Sequence, residues 1–128
     1  MDINYEQMLN IAKEASNHSY APFSKFVVGA CVMASSGELY SGCNVENSSY
    51  GLTICAERCA IFKAISNGEK EIKAVAIYSP NTDECYPCGA CRQVIFEFAS
   101  EDLIVITEKD GACKVDKITD LLPYGFKL

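Results

Sequence analysis

The sequence predicts an α/β fold: a three-layer α-β-α sandwich on a mixed five-stranded sheet whose last strand runs antiparallel. Three observations carry that expectation. Hydrophobic periodicities alternate in the order helix, strand, strand, helix, strand, helix, strand, strand, helix, which puts helices on both faces of a sheet. Phe26 to Ala34 is an almost unbroken apolar run with β-branched residues, as expected of a strand covered on both faces. Lys109-Asp110-Gly111 is a turn too tight to hold a crossover helix, so the last two strands cannot be parallel.

Each element has its own signal. Asn4-Tyr-Glu-Gln7 reads as a helix start, and Tyr5, Met8, Leu9, Ala12 and Ala15 then share one helical stripe. Ser16-Asn-His18-Ser breaks that helix. His18 is the only histidine and stands in a polar loop without ligand spacing, so it reads as a surface or loop-bonding residue. Ser36-Gly37 signals a hairpin, and the more polar strand Glu38–Cys43 belongs at an edge. Asn44 to Tyr50 is a polar loop. The helix from about Cys55 to Asn67 stops at Gly68 and is apolar nearly all round, which predicts a central, buried element. Ile72–Tyr78 is a buried strand, and a helix beginning near Cys88 carries Cys91, Val94, Ile95 and Phe98 on one stripe. Leu103–Thr107 and Ala112–Val115 are the final strands. Asp116 is expected to cap a last short helix, Lys117–Leu122, ended by Pro123.

A chain of 128 residues without linker, repeat or low-complexity segment is expected to be one domain, residues 1–128. With 49% hydrophobic and 22% charged residues it has the composition of a globular protein. Its net charge of −6 argues against a phosphate backbone as the main ligand, which would need Lys and Arg contacts. No nucleic-acid partner is therefore expected. Eight cysteines would suit a disulfide-stapled secreted domain. Met1 to Ser16, however, has no apolar signal-peptide segment, and the longest apolar run is far too short to span a bilayer. The expectation is a reduced, cytoplasmic protein that does not engage a membrane.

The chemistry-bearing stretches are Thr53-Ile-Cys55-Ala-Glu57-Arg58 and Tyr86-Pro-Cys88-Gly-Ala-Cys91-Arg-Gln93. Three cysteines at these spacings can bind zinc and leave a fourth position for water, as catalytic zinc sites do. Glu57 follows Cys55 by two residues, which on a formed helix would point it to the opposite side. The two converge only if Cys55 sits at the helix start, and there a carboxylate can shuttle protons without ligating the metal. Both motifs fall at helix N-termini, where the macrodipole and free N–H groups favour thiolates. Arg58, three residues past Cys55, can donate to the sulfurs and offset their charge. The competing reading is non-catalytic: Cys85, Cys88 and Cys91 with Cys55 or Cys59 would close a structural zinc site or hold an iron–sulfur cluster. Glu57 has no use in such a closed site. Cys31, Cys43, Cys59 and Cys113 fit as small buried residues.

The pair Cys-Ala-Glu and Pro-Cys-x-x-Cys resembles the zinc deaminases that hydrolyse nucleobase amines. Tyr20-Ala-Pro-Phe-Ser-Lys-Phe26-Val-Val-Gly-Ala30, Gly42-Cys-Asn44-Val-Glu46-Asn47-Ser-Ser-Tyr50 and the tail Leu121-Leu-Pro-Tyr-Gly-Phe126 narrow the resemblance to small homotetrameric cytidine deaminases, over nearly the whole chain. The resemblance implies hydrolytic deamination of cytidine and deoxycytidine to uridine and deoxyuridine, with ammonia released. It implies one Zn²⁺ per chain on Cys55, Cys88 and Cys91, Glu57 as the catalytic proton shuttle, and Arg58 as a partner of the sulfurs. It also implies that Phe26 stacks on the base, that Asn44 and Glu46 bind the ribose 3′-hydroxyl, and that Ala56 and Tyr50 complete the substrate site. Phe126 is expected to reach a neighbouring subunit's pocket in a homotetramer with shared active sites. A related small-molecule deaminase, such as one acting on blasticidin S, is the alternative within the class. The antiparallel final hairpin agrees with this family, because deaminases of polynucleotides have a helix there.

Overall fold

The computed structural model describes residues 2–128. Helix α1 (Tyr5–Ser16) starts where Asn4 Oδ1 accepts the Gln7 N–H at 2.9 Å. Strands β1 (Gly29–Ala34) and β2 (Leu39–Cys43) follow, joined at Gly37, whose φ of 95° a side-chain-bearing residue would resist. A 3₁₀ turn at Tyr50–Leu52 leads into helix α2 (Ala56–Ser66). Strand β3 (Ile72–Tyr78), helix α3 (Gly89–Phe98), strands β4 (Ala99–Lys109) and β5 (Ala112–Lys117) and the short helix α4 (Ile118–Leu121) complete the chain.

The five strands form one sheet in the order β2-β1-β3-β4-β5. Only β3 and β4 are parallel, with α3 as their crossover; β5 returns antiparallel through Asp110 and Gly111, both at positive φ. Alternate residues of each strand feed opposite layers. Cys31, Met33, Ala74, Ala76 and Ile106 meet Met8 and Ala12 of α1. Ala30, Val32, Val75, Ile77, Leu103 and Val105 meet Ala60, Ile61 and Ala64 of α2, Ile95 of α3 and Ile118 of α4. The result is the expected three-layer arrangement, with one helix on one face and three on the other. Each fully buried Val, Leu, Ile or Met side chain in these layers contributes about 1.5–3 kcal/mol.

Three boundaries and the burial of one helix depart from the sequence reading. Phe26 to Val28 is extended but unpaired, because Val27 N–H is taken by Asn81 Oδ1 and Val28 N–H by Asn44 Oδ1 instead of a neighbouring strand. Strand β4 begins four residues early, since Ala99 already pairs with Ile72 before the register shifts. Asp116 is not a helix cap. It lies within β5 opposite Val105, and Lys117 occupies the cap position without a side-chain hydrogen bond. Helix α2 is buried on one side only: Phe62 is 44% exposed, so its apolar outer face has no cover within this chain.

The sheet edge that matters is set by register. Gly29, where β1 begins, pairs with Cys43, where β2 ends, and with Tyr78, where β3 ends. Chain segments 20–28, 44–55 and 79–88 therefore emerge at the same end of the sheet, outside the carboxyl end of β3. Ligand clefts in open α/β sheets form at that end.

Candidate metal centre and active-site cleft

Two helix N-termini deliver the sulfurs. Cys55 caps α2 with extended backbone (φ −79°, ψ 156°), and Cys88 caps α3 (φ −66°, ψ 168°), its sulfur accepting from Cys91 N–H at 3.5 Å. Cys91 sits in the first turn of α3 and is fully buried. All three Sγ atoms lie within 4.8 Å of one another, and Cys55 Sγ is 3.9 Å from Cys88 Sγ. Tetrahedral zinc with bonds of about 2.3 Å to sulfur separates its ligands by about 3.8 Å, so the donor set fits that ion. Among the described residues this is the only cluster of metal-ligating side chains so assembled.

The electrostatics suit a thiolate at Cys55. Arg58 Nη2 donates to Cys55 Sγ at 3.3 Å, while its buried Nε has no partner among the described residues. A hydrogen bond from Cys91 and the adjacent Arg58 guanidinium hold the Cys55 thiol down, at about 5. The Cys91 thiol, sharing that hydrogen with Cys55 and buried, is pushed the other way. Arg92 fixes the entry to the second motif: its Nε donates to the Pro87 carbonyl and its Nη1 to the Leu121 carbonyl, both at 2.8 Å. Cys85 lines the cleft as a neutral thiol, pushed up to about 12 by burial. It is outside the sulfur cluster, as are Cys59 and the exposed His18.

Glu57 is only 4% exposed, and burial pushes its carboxyl up to about 7. It opens onto a cleft of about 310 Å³ that Phe26, Asn44, Cys55, Ala56 and Cys88 also line. Ser24, Val28, Thr53, Ile54, Cys85 and Tyr86 line the same wall; the sequence marked the stretches that hold or adjoin them but gave none of them an individual place in the substrate site. Val28 was accessible to sequence reasoning, lying two residues from Phe26 on the same side of extended chain. Tyr86 heads the second chemistry-bearing stretch, but nothing local says that its side chain turns inward.

The remaining expected residues are distributed differently. Glu46 and Tyr50 line an adjoining depression of about 370 Å³ with Phe23, Ser24 and Thr53. The Glu46 carboxylate accepts from Phe23 N–H at 2.9 Å, Ser24 N–H at 3.1 Å and the Ser24 hydroxyl, so it braces the 20–26 loop. Asn44 spends Oδ1 on Val28 N–H and one Nδ2 hydrogen on the Phe26 carbonyl, leaving one N–H free. Phe126 lines neither cavity of its own chain; it is 65% exposed, with its carbonyl held by Gln93 Nε2 at 3.1 Å.

A carboxylate buried beside three thiols at two helix N-termini, under a mixed sheet, defines a zinc-binding protein of the deaminase class. Residues 2–107 match the family model described as the cytidine and deoxycytidylate deaminase zinc-binding region. The chain belongs to that family. It is 42% identical to the cytidine deaminase of Sporosarcina psychrophila over 127 residues, covering 98% of this chain and 92% of that one. The crystal structure of the cytidine deaminase from Burkholderia pseudomallei superposes with a TM-score of 0.90 at 39% identity, covering 97% of this chain and all of that one. That from Mycobacterium tuberculosis gives 0.88 at 35% identity over 99% of this chain and 100% of its own.

Proposed function

We propose that the protein hydrolyses cytidine and deoxycytidine to uridine and deoxyuridine, releasing ammonia. The observation that carries this reading is the burial of Glu57 in the cleft lined by Cys55 and Cys88, whose sulfurs cluster with that of the buried Cys91. Cys55, Cys88 and Cys91 would hold one Zn²⁺ per chain, which when bound supplies Lewis acidity and makes water a usable nucleophile near neutral pH. Glu57 accepts a proton from the attacking water and delivers it to N3 of the pyrimidine. Once the water oxygen has bonded to C4, Glu57 takes the remaining proton from that C4 hydroxyl and passes it to N4, so that the C4 carbonyl forms as the C4–N4 bond breaks and ammonia leaves. Arg58 offsets thiolate charge. Phe26 stacks on the base, Ala56 borders it, and the free Asn44 N–H with Glu46 and Tyr50 receives the sugar.

Among the described residues no Lys or Arg lines the cleft or its adjoining depression, which supports an uncharged nucleoside over a nucleotide or a polynucleotide. Among the described residues no helix is long and apolar enough to cross a membrane. The unpaired cysteines agree with a reducing, cytoplasmic setting. The reading takes residues 1–128 as a single deaminase-like domain assembled as a homotetramer with shared sites; the uncovered Phe62 and Phe126 support association between copies. Ultraviolet absorbance of zinc-loaded protein with cytidine, deoxycytidine, cytosine and CMP in parallel tests the reading. The two nucleosides should be consumed and CMP should be the poorer substrate; no turnover of any of the four would overturn the proposal.

A further inference from the structure

Tyr86 stands in the cleft wall two residues before Cys88, in a loop that owes nothing to sheet or helix hydrogen bonding for its own side chain. What fixes it comes from the other end of the sequence. Lys114, on β5, directs its ammonium onto the Tyr86 hydroxyl and stands 4.7 Å from the ring centroid. Asp116, two residues along the same strand and on the same face, places Oδ2 3.3 Å from that ammonium, as an ion-pair partner outside hydrogen-bonding geometry. The register Thr107↔Lys114 and Val105↔Asp116 pins both side chains to the rigid sheet.

We propose that Lys114 is a positioning residue for the substrate cleft, acting through Tyr86 and itself held by Asp116. The sheet edge made by the last hairpin thereby sets the shape of a wall whose neighbours carry the chemistry. The physics is a directional charge-assisted hydrogen bond from the Lys114 ammonium to the Tyr86 hydroxyl oxygen. A tyrosine without that anchor keeps its packing but not one ring orientation, and the loop joining it to Pro87 has no other side-chain tie at this residue. The inference rests on the cleft being the nucleoside site, and the test separates the two.

Lys114→Met should raise KM for cytidine by about three- to tenfold, the loss expected for one charge-assisted hydrogen bond, with kcat and zinc content close to wild type. Tyr86→Phe should give a similar rise. Combining the two should add nothing further, because each removes the same interaction. Lys114→Arg should recover most of the loss, and Lys117→Met, an exposed lysine of the same strand, should lose nothing. A crystal structure of Lys114→Met should show the Tyr86 ring displaced or in several orientations. If wild-type protein turns over cytidine but Lys114→Met matches it, or if the two substitutions are additive, the inference is overturned. A Tyr86 ring unmoved in Lys114→Met overturns it whatever the activity. A wild type that consumes no nucleoside counts instead against the proposed function.

Discussion

At the scale of single residues the site divides into ligands, a proton carrier and braces, and each group predicts its own failure. Serine at Cys55, Cys88 or Cys91 should cost the protein its zinc and its activity, whereas Cys85→Ala and Cys59→Ala should keep the metal. Atomic absorption on the five variants decides this, and metal loss from Cys85→Ala would favour a closed four-sulfur site. Glu57→Gln should keep fold and zinc while turnover falls by at least ~10²–10⁴. Activity within about tenfold of wild type would remove Glu57 from the proton path. Glu46 is the brace. Its hydrogen bonds from the Ser24 hydroxyl and then the Phe23 and Ser24 amides hold its carboxyl below the ordinary value of 4.5. A carboxylate stabilised only when folded contributes stability above that ordinary value and loses it as pH falls through the depressed one. Glu46→Gln should therefore melt earlier than wild type near neutral pH, with the gap closing below about pH 4.5. A gap that stays constant into acid would show that the carboxylate charge is irrelevant to the loop. Cys-x-Glu and Cys-x-x-Cys spacing made ligands and carrier legible in the sequence. The bracing by Glu46 was not, because its partners lie 22 and 23 residues away.

At the scale of elements, the site depends on how closely two helices approach the sheet. A Cβ on Gly42 would meet Ala60 N at 2.6 Å and Ala56 O at 2.8 Å, backbone atoms of the first turns of α2 that cannot swing aside. Gly29 is tighter against α1, with Ala12 O at 1.9 Å from the same construction. Gly42→Ala should then push the start of α2 away, cost about 1–3 kcal/mol, and weaken zinc binding because Cys55 moves with the helix. Gly29→Ala should destabilise at least as much and leave the zinc affinity of the folded fraction unchanged. Equal zinc affinity in both variants would separate α2 placement from the metal centre. The strands and helices themselves were legible from periodicity, and Asn4, Gly68 and Asp110-Gly111 marked their ends. Boundaries failed where partners from distant segments took the backbone donors, as Asn81 and Asn44 do at Val27 and Val28. Asp116 was misread as a cap because its partner Lys114 lies on its own strand, and strand registry cannot be seen in a linear pattern.

At the scale of the whole molecule, the apolar outer face of α2 and the tail belong to no core within one chain. Phe126→Ala and Glu57→Ala chains should each be nearly inactive as pure oligomers. Refolded together, mixed assemblies would unite an intact Glu57 with an intact Phe126 from another chain, and activity should partly return. Mixed oligomers verified by mass but no more active than either parent would show that Phe126 does not complete a neighbour's site. The expectation that α2 would be buried all round does not hold within one chain, because apolar composition gives the tendency to be covered and not the surface that covers it.

The convergence of Cys55 with Cys88 and Cys91 has one more consequence, for durability. Cys55 and Cys88 are separated by 33 residues that include all of β3, so an ion bound between them closes a long loop. In a chain-entropy description such a closure removes about 3–4 kcal/mol of freedom from the denatured ensemble. The ion is thus a cross-link as well as a reagent, doing for a reduced chain what a disulfide does for an oxidised one. Chelation would strip the protein of its reactivity and of its staple in the same step.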